Sequence, residues 1–324
     1  MRAPEFWRRD GVLPRLLAPA ARLYSIAARR RQRGARPQGV GAPVICVGNL
    51  VAGGAGKTPV ALSVAEHLIA RGAAPHFLTR GHGGSRVGPL RVDPARHDAA
   101  AVGDEALLLA AVAPTWVARD RLAGARAAVA ASASVIVMDD GFQNPALAKD
   151  LSLVVVDGTY GFGNGRLLPA GPLREPVADG LARADAVVLM GEDRAGVTDL
   201  FPSGLTVLRA RLAPGPEAEE LRGRAVVAFA GIGRPQKFFD TLAELGCEVL
   251  GRHAFADHHR YRDHEVLVLA DKATKLDALL VTTAKDAARL AGAVRDLAFV
   301  LTVHVAWRDA AAFDRLLDRV AGDG

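Results

Sequence analysis

Residues 44–59, with the sequence VICVGNLVAGGAGKTP, limit what this chain can fold into more than any other segment. An apolar, strand-type run enters a glycine-rich turn, and Lys57-Thr58 then begins a helical pattern. Glycines let successive backbone N–H groups converge on phosphate oxygens, while a lysine reaches the β- and γ-phosphates and a threonine hydroxyl ligates Mg²⁺. The segment therefore predicts a phosphate loop for a nucleotide.

The segment departs at one position from the usual pattern G-x-x-x-x-G-K-[ST], because Val51 occupies the place of the first glycine. The sequence GGAGKT after a strand still favours a variant phosphate loop over the alternative, a flexible turn that carries a lysine by chance. The predicted contacts to the nucleotide come from six consecutive residues: Gly53, Gly54, Ala55, Gly56, Lys57 and Thr58.

Strand and helix patterns alternate along the chain from this loop onward. Further strands are predicted at 76–81, 134–140, 151–158, 185–190 and 205–212. Helical patterns lie between several of them and include 58–70 and 121–130. This order is typical of a doubly wound, mostly parallel α/β sheet of the P-loop nucleoside-triphosphate-hydrolase type, which binds ligands at the carboxyl ends of its strands.

Pro214-Gly215-Pro216 indicates a domain boundary. Beyond it, RAVVAFAGIGRP begins a new strand–turn–helix unit, and three more strand patterns follow, of which the last is LAFVLTVHV at 297–305. We expect a P-loop domain over 37–215 and a second, smaller α/β domain over 216–324, preceded by a separate segment at 1–36.

Two acidic pairs are candidates for metal binding and acid–base chemistry. Asp139 and Asp140 end the strand pattern VIVMDD, where nucleotide enzymes hold their Mg²⁺ shell, although an Asp after a strand also commonly caps a helix. The pattern does not decide which of the two faces the metal. Asp104 and Glu105 begin a helical pattern and fit either helix capping or a general base that accepts a hydroxyl proton.

A long Gly/Pro-rich loop and a histidine-rich stretch supply the other candidates. The loop GFGNGRLLPAGPLREP exceeds a plain connection, and its Arg166, Arg174 and Glu175 predict contact with substrate or with transferring charge. Four of the nine His lie in GRHAFADHHRYRDH at 251–264. Their spacing matches no zinc pattern, so a single His that supports a carboxylate base is favoured over a metal site or an exposed polar loop.

The positive charge of the chain is concentrated at its N-terminus. Residues 1–40 contain ten Arg, no Lys and two acidic residues, whereas the rest carries 31 basic and 33 acidic groups. A nearly neutral body argues against a nucleic-acid partner. The apolar residues between these arginines indicate an amphipathic segment on an anionic membrane surface, divided by Pro14 and Pro19. The alternatives are a helix packed on the protein's own body and a targeting segment.

Cysteine content and hydropathy limit the compartment. Cys46 and Cys247 cannot form a disulfide framework, and both lie in apolar runs, which favours a reducing cytosolic environment. No stretch approaches the ~18 uncharged apolar residues that a membrane-spanning helix needs. The sequence therefore predicts a globular protein that meets a membrane only at its surface.

Eight segments, in order along the chain, resemble the tetraacyldisaccharide 4′-kinase family, the lipid A 4′-kinases of Gram-negative bacteria. The segments are GNLVAGGAGKTP, LTRGHGG, GDEALLLA, DDGFQ, GNGRLLPAGPLREP, AGIGRPQKFF, FADHHRY and the TTAKDAARL region. The resemblance implies a kinase that uses ATP and Mg²⁺ and phosphorylates the 4′-hydroxyl of a tetraacyl glucosamine disaccharide 1-phosphate. It also implies a peripheral protein at the cytoplasmic face of the inner membrane.

The resemblance implies binding roles for residues in the matching motifs. Lys57 and Thr58 would hold the ATP phosphates and Mg²⁺, and Asp139 and Asp140 would serve the metal region. Substrate contacts are expected from four residues: Asn49, Gln143, Arg174 and Glu175.

Catalytic roles follow from the same resemblance. Asp104 would be the general base, paired with a histidine of the ADHH segment, for which His258 is preferred and His259 is the alternative. Lys57 and Arg174 would stabilise the charge of the transferring phosphoryl group, since positioning and electrostatics supply most of the catalysis in phosphoryl transfer.

Three positions depart from the family pattern. Ala55 stands where Thr is common, His82 stands where Tyr is usual, and Ala284 stands where Glu is expected. None of these removes a proposed catalytic group, but Ala284 leaves open how the base of the nucleotide is contacted.

Other classes of nucleotide-binding protein fit less well. A membrane-recruited P-loop ATPase switch of the positioning type is the main alternative, but its signature Lys before the glycine pair is Ala52 here. A GTPase is disfavoured because TTAKDA lacks the [NT]-K-x-D spacing. A dinucleotide dehydrogenase is disfavoured because Gly231 and Gly233 lack a third glycine at Gln236.

Overall fold

The computed structural model of the chain describes residues 4–321. The ends of the predicted segments 1–36 and 216–324, namely 1–3 and 322–324, lie outside the described residues. Within 4–321 the strands are β1 (Val44–Gly48), β2 (Pro75–Thr79), β3 (Leu90–Arg91), β4 (Thr115–Val117), β5 (Val135–Asp139), β6 (Leu151–Asp157), β7 (Ala186–Met190), β8 (Thr206–Pro214), β9 (Ala225–Ala230), β10 (Glu248–Ala254), β11 (Leu279–Thr283), β12 (Phe299–Leu301) and β13 (Val303–Trp307).

Short 3-10 helices occur at Glu5–Trp7, Val197–Leu200 and Pro216–Leu221. The α-helices of the described chain are α1 (Val12–Leu16), α2 (Ala18–Arg33), α3 (Lys57–Ala70), α4 (Ala99–Val102), α5 (Asp104–Ala110), α6 (Arg121–Ala130), α7 (Val177–Leu181), α8 (Pro235–Glu244), α9 (Asp263–Lys275), α10 (Ala284–Ala287), α11 (Gly292–Arg295) and α12 (Ala310–Ala321).

The larger of the two α/β units is built around a nine-stranded sheet with the strand order β13-β8-β7-β6-β1-β5-β2-β4-β3. The strands from β8 to β4 run parallel, and β13 and β3 pair antiparallel at the two edges. The sequence prediction of a doubly wound, mostly parallel P-loop sheet is therefore confirmed.

Strand β1 lies inside this sheet and is buried along its whole length. Because successive side chains of a strand point to opposite faces, Ile45 and Val47 pack with α3 and α12, whereas Val44 and Cys46 pack on the side of α6. The fold has three layers here, and the apolar run that predicted β1 is explained by burial on both faces.

The register of β1 with β5 positions the predicted metal residues. Val47 lies opposite Asp139, so the carboxylates at the end of β5 stand beside the loop that follows β1. Gly48 allows this approach, because a Cβ at this position would lie 2.4 Å from the Cβ of Phe142.

A second, smaller α/β unit carries four parallel strands in the order β10-β9-β11-β12. It joins the large unit through two adjacent stretches, in which the backbone N–H of Gly215 donates to the carbonyl of Thr302 at 3.0 Å. The existence of this unit was predicted from the boundary at 214–216.

The predicted single strand at 297–305 is wrong. Its residues form β12 in the small sheet and β13 in the large sheet, and α12 then packs against α3. The last 19 described residues, 303–321, thus return to the large unit, contrary to the expected span of 216–324 for the small domain. The two strands follow one another with a single residue between them, so the apolar pattern does not show the change of sheet.

The N-terminal segment is helical and divided, as the two prolines predict. Helices α1 and α2 meet at Leu17, and Pro14 and Pro19 both lie in first turns, where a missing N–H loses no internal hydrogen bond. One face of α2 rests on the body, with Ala21 buried and Arg29 Nε 3.0 Å from Asp179 Oδ2. No helix within 4–321 is both long and apolar enough to cross a membrane.

Candidate active site

The phosphate loop occupies the carboxyl end of β1. Gly56 has a left-handed φ of 91° and immediately precedes Lys57, the first residue of α3. The carbonyl of Gly53 accepts hydrogen bonds from Asn49 Nδ2 at 3.2 Å and from Lys57 Nζ at 3.4 Å. The loop therefore turns back on its own strand, and the lysine lies over it.

Asp139 and Thr58 form a buried pair beside the loop. Thr58 Oγ1 donates to Asp139 Oδ2 at 3.0 Å, while the buried Oδ1 of Asp139 has no hydrogen-bond partner. Burial, together with the nearby carboxylate of Glu105, raises the pKa of Asp139 to about 7. An unpartnered carboxylate oxygen next to a hydroxyl fits Mg²⁺, which takes oxygen ligands and completes its shell from substrate phosphates.

Asp140 has different partners from its neighbour Asp139. Arg174 binds it through two hydrogen bonds, from Nη1 to Oδ1 at 2.7 Å and from Nη2 to Oδ2 at 3.2 Å, and Lys57 Nζ lies 3.7 Å from Oδ1. Burial by itself raises the pKa of a carboxyl, but the charges of Lys57 and Arg174 lower the pKa of Asp140 to about 2. Asp140 therefore holds both cations in place as a stable carboxylate.

Three of the expected substrate residues form a hydrogen-bonded network behind this pair. Gln143 Nε2 donates to the carbonyl of Asn49 at 2.8 Å and to Glu175 Oε1 at 2.9 Å, and Arg183 pairs with Glu175. Asn49 is fully buried and Glu175 is 7% exposed. Asn49 Nδ2 donates to the phosphate loop, and Glu175 accepts from Gln143 and Arg183, so substrate contact by Asn49 and Glu175 stays a prediction.

Asp104 meets the small unit across the cleft. His258 Nδ1 lies 3.0 Å from Asp104 Oδ2, and Arg289 Nε lies 3.5 Å from the same oxygen. Burial by itself raises the pKa of Asp104, but the hydrogen bond from His258 and the charges of Lys285 and Arg289 lower it below its ordinary value. Two motifs 154 residues apart in the chain thus form one contact.

The neighbouring histidine is engaged elsewhere. The ring of His259 stacks on Phe255 with centroids 4.7 Å apart, and its Nε2 lies 3.2 Å from Glu265 Oε2. Only His258 of the two contacts Asp104 in the structure.

Other cross-cleft contacts were not anticipated from the sequence. Lys285 Nζ lies 3.1 Å from Glu105 Oε1, and Arg234 forms an ion pair with Asp157. Although burial disfavours an ammonium ion, Glu105 and Asp104 raise the pKa of Lys285 above its ordinary value. The sequence pointed to Arg234 and Lys285 only through the GRPQKFF and TTAKDAARL segments, which gave them no partner, whereas Glu105 was a candidate for helix capping or for the general base.

Two cavities open on either side of the charged residues. The larger, of about 1720 Å³, lies between the two units; among its lining residues are the phosphate loop, Glu105, Asp157, Asp257, Ala284 and Lys285. The smaller, of about 560 Å³, lies between α2 and the residues Gln143, Arg174 and Glu175. Asp140 links them, since it contacts Lys57 in the first and Arg174 in the second.

A strand–phosphate loop–helix unit inside a parallel sheet, with a buried Asp against the Thr of the loop, defines a P-loop enzyme that uses a nucleoside triphosphate and Mg²⁺. The carboxylate–histidine pair at the edge of the same cleft adds a group that can accept a proton. Together they define a phosphotransferase.

Comparisons with known proteins identify the family. A family model described as tetraacyldisaccharide-1-P 4′-kinase matches residues 13–321. The tetraacyldisaccharide 4′-kinase of Rhodospirillum centenum is 59% identical over 323 residues, which cover 98% of this chain and 96% of that one. The same enzyme of Paramagnetospirillum magneticum is 55% identical over 321 residues, with 99% of both chains covered.

A solved structure agrees with both the fold and the nucleotide. The crystal structure of LpxK from Aquifex aeolicus in complex with ATP matches with a TM-score of 0.77 and 27% sequence identity, covering 95% of this chain and 99% of that one. The chain belongs to the tetraacyldisaccharide 4′-kinase family. It is an ATP- and Mg²⁺-dependent kinase of lipid A biosynthesis that acts on tetraacyldisaccharide 1-phosphate.

Proposed function

We propose that Asp104 is the general base of this kinase and that His258 positions it. The observation that carries the proposal is the 3.0 Å contact between them, which joins the two units at the edge of the nucleotide cleft. Asp104 takes the proton from the 4′-hydroxyl as that oxygen attacks the γ-phosphorus and ADP leaves. A lowered pKa keeps Asp104 ionised at neutral pH, ready to accept the proton.

Lys57, Thr58 and Asp139 hold the reacting phosphates from the other side. Lys57 reaches the β- and γ-phosphates, and Thr58 with Asp139 provides the oxygen ligands for Mg²⁺. When bound, Mg²⁺ neutralises the charge that develops on the phosphate oxygens. The loop glycines leave backbone N–H groups free to donate to the same oxygens.

Arg174 stabilises the transferring phosphoryl group from the acceptor side. It lines the smaller cavity and already lies against Asp140, whose other neighbour is Lys57. A guanidinium presents two parallel donors that match phosphate geometry, so a modest displacement from Asp140 brings it onto the phosphate. The network of Asn49, Gln143 and Glu175 fixes the loop that carries it.

The smaller cavity receives the lipid acceptor, and α1 and α2 dock on an anionic membrane surface. These helices expose six apolar or aromatic side chains: Val12, Leu13, Leu16, Leu23, Tyr24 and Ile26. Arginines of α2 line the cavity beside them, where they can meet phosphate groups of the substrate and of the membrane. The apolar face and the positive charge favour peripheral attachment to the cytoplasmic face of the inner membrane.

Transfer of ³²P from γ-labelled ATP to tetraacyldisaccharide 1-phosphate in detergent micelles tests the proposal. The wild-type protein labels the lipid, and Asp104→Asn does not, although it still binds ATP. If Asp104→Asn labels the lipid at the wild-type rate, Asp104 is not the base.

A further inference from the structure

The first described residues of the chain lie against the Gly/Pro-rich loop at 161–176. Asn164 donates twice to this segment, from its backbone N–H to the carbonyl of Trp7 at 2.7 Å and from Nδ2 to the carbonyl of Phe6 at 3.1 Å. Trp7 returns a bond from its indole Nε1 to the carbonyl of Pro169 at 3.1 Å. The N-terminal segment is thus bound to the loop as well as to α1.

An ion pair and a close backbone approach reinforce this contact. Arg166 binds Asp10 through Nε and Nη2, at 2.8 and 3.1 Å from the two carboxylate oxygens. Gly163 has a φ of 60°, and a Cβ there would lie 2.5 Å from the carbonyl oxygen of Trp7. The loop sequence therefore accommodates the segment, since a larger residue at 163 clashes with it.

The same loop continues into the active site through backbone hydrogen bonds. Leu173 N donates to the carbonyl of Arg166 at 3.0 Å. Ala52 N donates to the carbonyl of Pro172 at 2.7 Å, and Arg174 N donates to the carbonyl of Leu50 at 2.8 Å. A hydrogen-bonded path runs from the N-terminal segment to the start of the phosphate loop and to the side chain that binds Asp140.

We propose that residues 6–10 are a positioning element for phosphoryl transfer, which sets the conformation of the 161–176 loop and through it the position of Arg174. This inference rests on the proposed role of Arg174. Misplacement of a positioned group by about 1 Å is enough to lower turnover by up to ~100-fold. Because α1 begins at Val12, the same short segment connects the 161–176 loop with α1 and α2, the helices that we propose to dock on the membrane.

The double variant Trp7→Phe/Asp10→Asn tests the proposal. It removes the indole donor and the carboxylate while it keeps the aromatic packing and every exposed apolar side chain of α1 and α2. We expect kcat in micelles to fall roughly 10- to 100-fold, with KM for ATP within about twofold of wild type. Binding to vesicles of phosphatidylglycerol should not change. Glu5→Gln is the matched control, since this exposed side chain makes no hydrogen bond or ion pair within 4–321 and should leave kcat unchanged.

The Arg174→Ala background separates this inference from the proposed role of Arg174. If the segment acts through Arg174, adding Trp7→Phe/Asp10→Asn to Arg174→Ala lowers kcat no further. An additive loss, or an unchanged kcat in the double variant of otherwise wild-type protein, overturns the positioning role. Wild-type activity in Arg174→Ala alone instead removes Arg174 from catalysis.

Discussion

Among individual residues, the adjacent Asp139 and Asp140 have pKa values shifted in opposite directions. Burial and the nearby carboxylate of Glu105 raise the pKa of Asp139 to about 7, whereas the charges of Lys57 and Arg174 lower the pKa of Asp140 to about 2. The difference arises because β5 ends between them, and Asp140 turns away with a φ of 54°. Asp140 thus contacts both Lys57 and Arg174 as a carboxylate, whereas Asp139 keeps a free oxygen for the Mg²⁺ site that we propose.

Substitutions of Lys57 and Asp104 should have different effects on nucleotide binding and on phosphoryl transfer. Lys57→Ala removes a cation from the phosphates in every state, so we expect ATP affinity to fall at least about tenfold and lipid phosphorylation to be abolished. Asp104→Ala removes the proposed proton acceptor, so we expect turnover to be abolished and ATP affinity to be nearly unchanged. Calorimetric titration of ATP checks this, and an equal loss of affinity in both variants contradicts the assignment of Asp104 as base.

Substitutions of the two neighbouring histidines should also have different effects, one on kcat and the other on stability. His258→Ala leaves Asp104 without its hydrogen-bond partner, and we expect kcat to fall by about 10²–10⁴-fold. His259→Ala loses the stack on Phe255, so the free energy of unfolding falls by about 1 kcal/mol while kcat stays near wild type. Parallel steady-state kinetics and thermal unfolding decide the question, and the opposite order of kcat values makes His259 the partner of the base.

At the element scale, α1 and α2 combine a docked face with an exposed one. The sequence left open whether this segment packs on the body or lies on a membrane, and the structure shows contact with the body through Ala21 and Arg29. The exposed apolar residues lie on the rest of the same helices. The proposed peripheral attachment requires both faces. One face keeps the helices packed on the body of the protein, and the exposed apolar face is free to contact a membrane surface.

Acidic substitutions on the exposed face should therefore weaken the proposed attachment to membranes. Leu16 and Leu23 are 71% and 70% exposed, so Leu16→Asp/Leu23→Asp leaves the fold intact. We expect partition onto phosphatidylglycerol vesicles to fall by more than about tenfold, since burial of each leucine contributes about 2 kcal/mol. Leu200→Asp, at an exposed leucine elsewhere in the molecule, is the control for sedimentation with vesicles. Equal partition of both variants excludes this face as the docking surface.

In the whole molecule, the two units are joined by two adjacent chain crossings and by polar side-chain pairs across the cleft. The pairs are Asp104 with His258, Glu105 with Lys285, and Asp157 with Arg234. Each pair has one member in either unit. The position of Asp104, the proposed base, relative to His258 therefore depends on how the small unit sits against the large one.

Loss of the Asp157–Arg234 pair should weaken the contact between the two units without removing a proposed catalytic residue. Arg234→Ala is expected to raise KM for ATP by about two- to fivefold, which corresponds to the modest free energy of a half-exposed ion pair. Arg194→Ala breaks an exposed pair within one loop and is the control. Unchanged kinetics of Arg234→Ala contradict a role of this pair in nucleotide binding.

The same pair predicts a direction for the pH dependence. Burial by itself raises the pKa of Asp157, but Arg234 lowers it below the ordinary carboxyl value. A lowered folded pKa means that this stabilisation is complete above the ordinary carboxyl pKa and is lost as the pH falls through the lowered value. Arg234→Ala should thus narrow the difference in unfolding free energy between neutral and acidic solution, as measured by denaturant titration.

Three features could be predicted from the amino-acid sequence alone: the phosphate loop, the parallel order of the large sheet and the existence of a second unit. These features are encoded locally: glycines fix the turn, apolar runs fix the buried strands, and the end of β5 places Asp139 and Asp140 beside β1 once both strands are parallel. The family resemblance also paired Asp104 with a histidine of the ADHH segment, with His258 preferred and His259 as the alternative.

Other features appear only in the folded chain: the contact of His258 with Asp104, the division of 297–305 between two sheets, the burial of Asn49 and Glu175, and the contact of Trp7 with the 161–176 loop. All of these join segments that are remote in the chain or depend on which sheet a strand enters. The spacing of apolar residues along the chain indicates whether a side chain is buried, but it does not indicate which residues pack against that side chain. That is set when the two units and the N-terminal segment pack around the cleft.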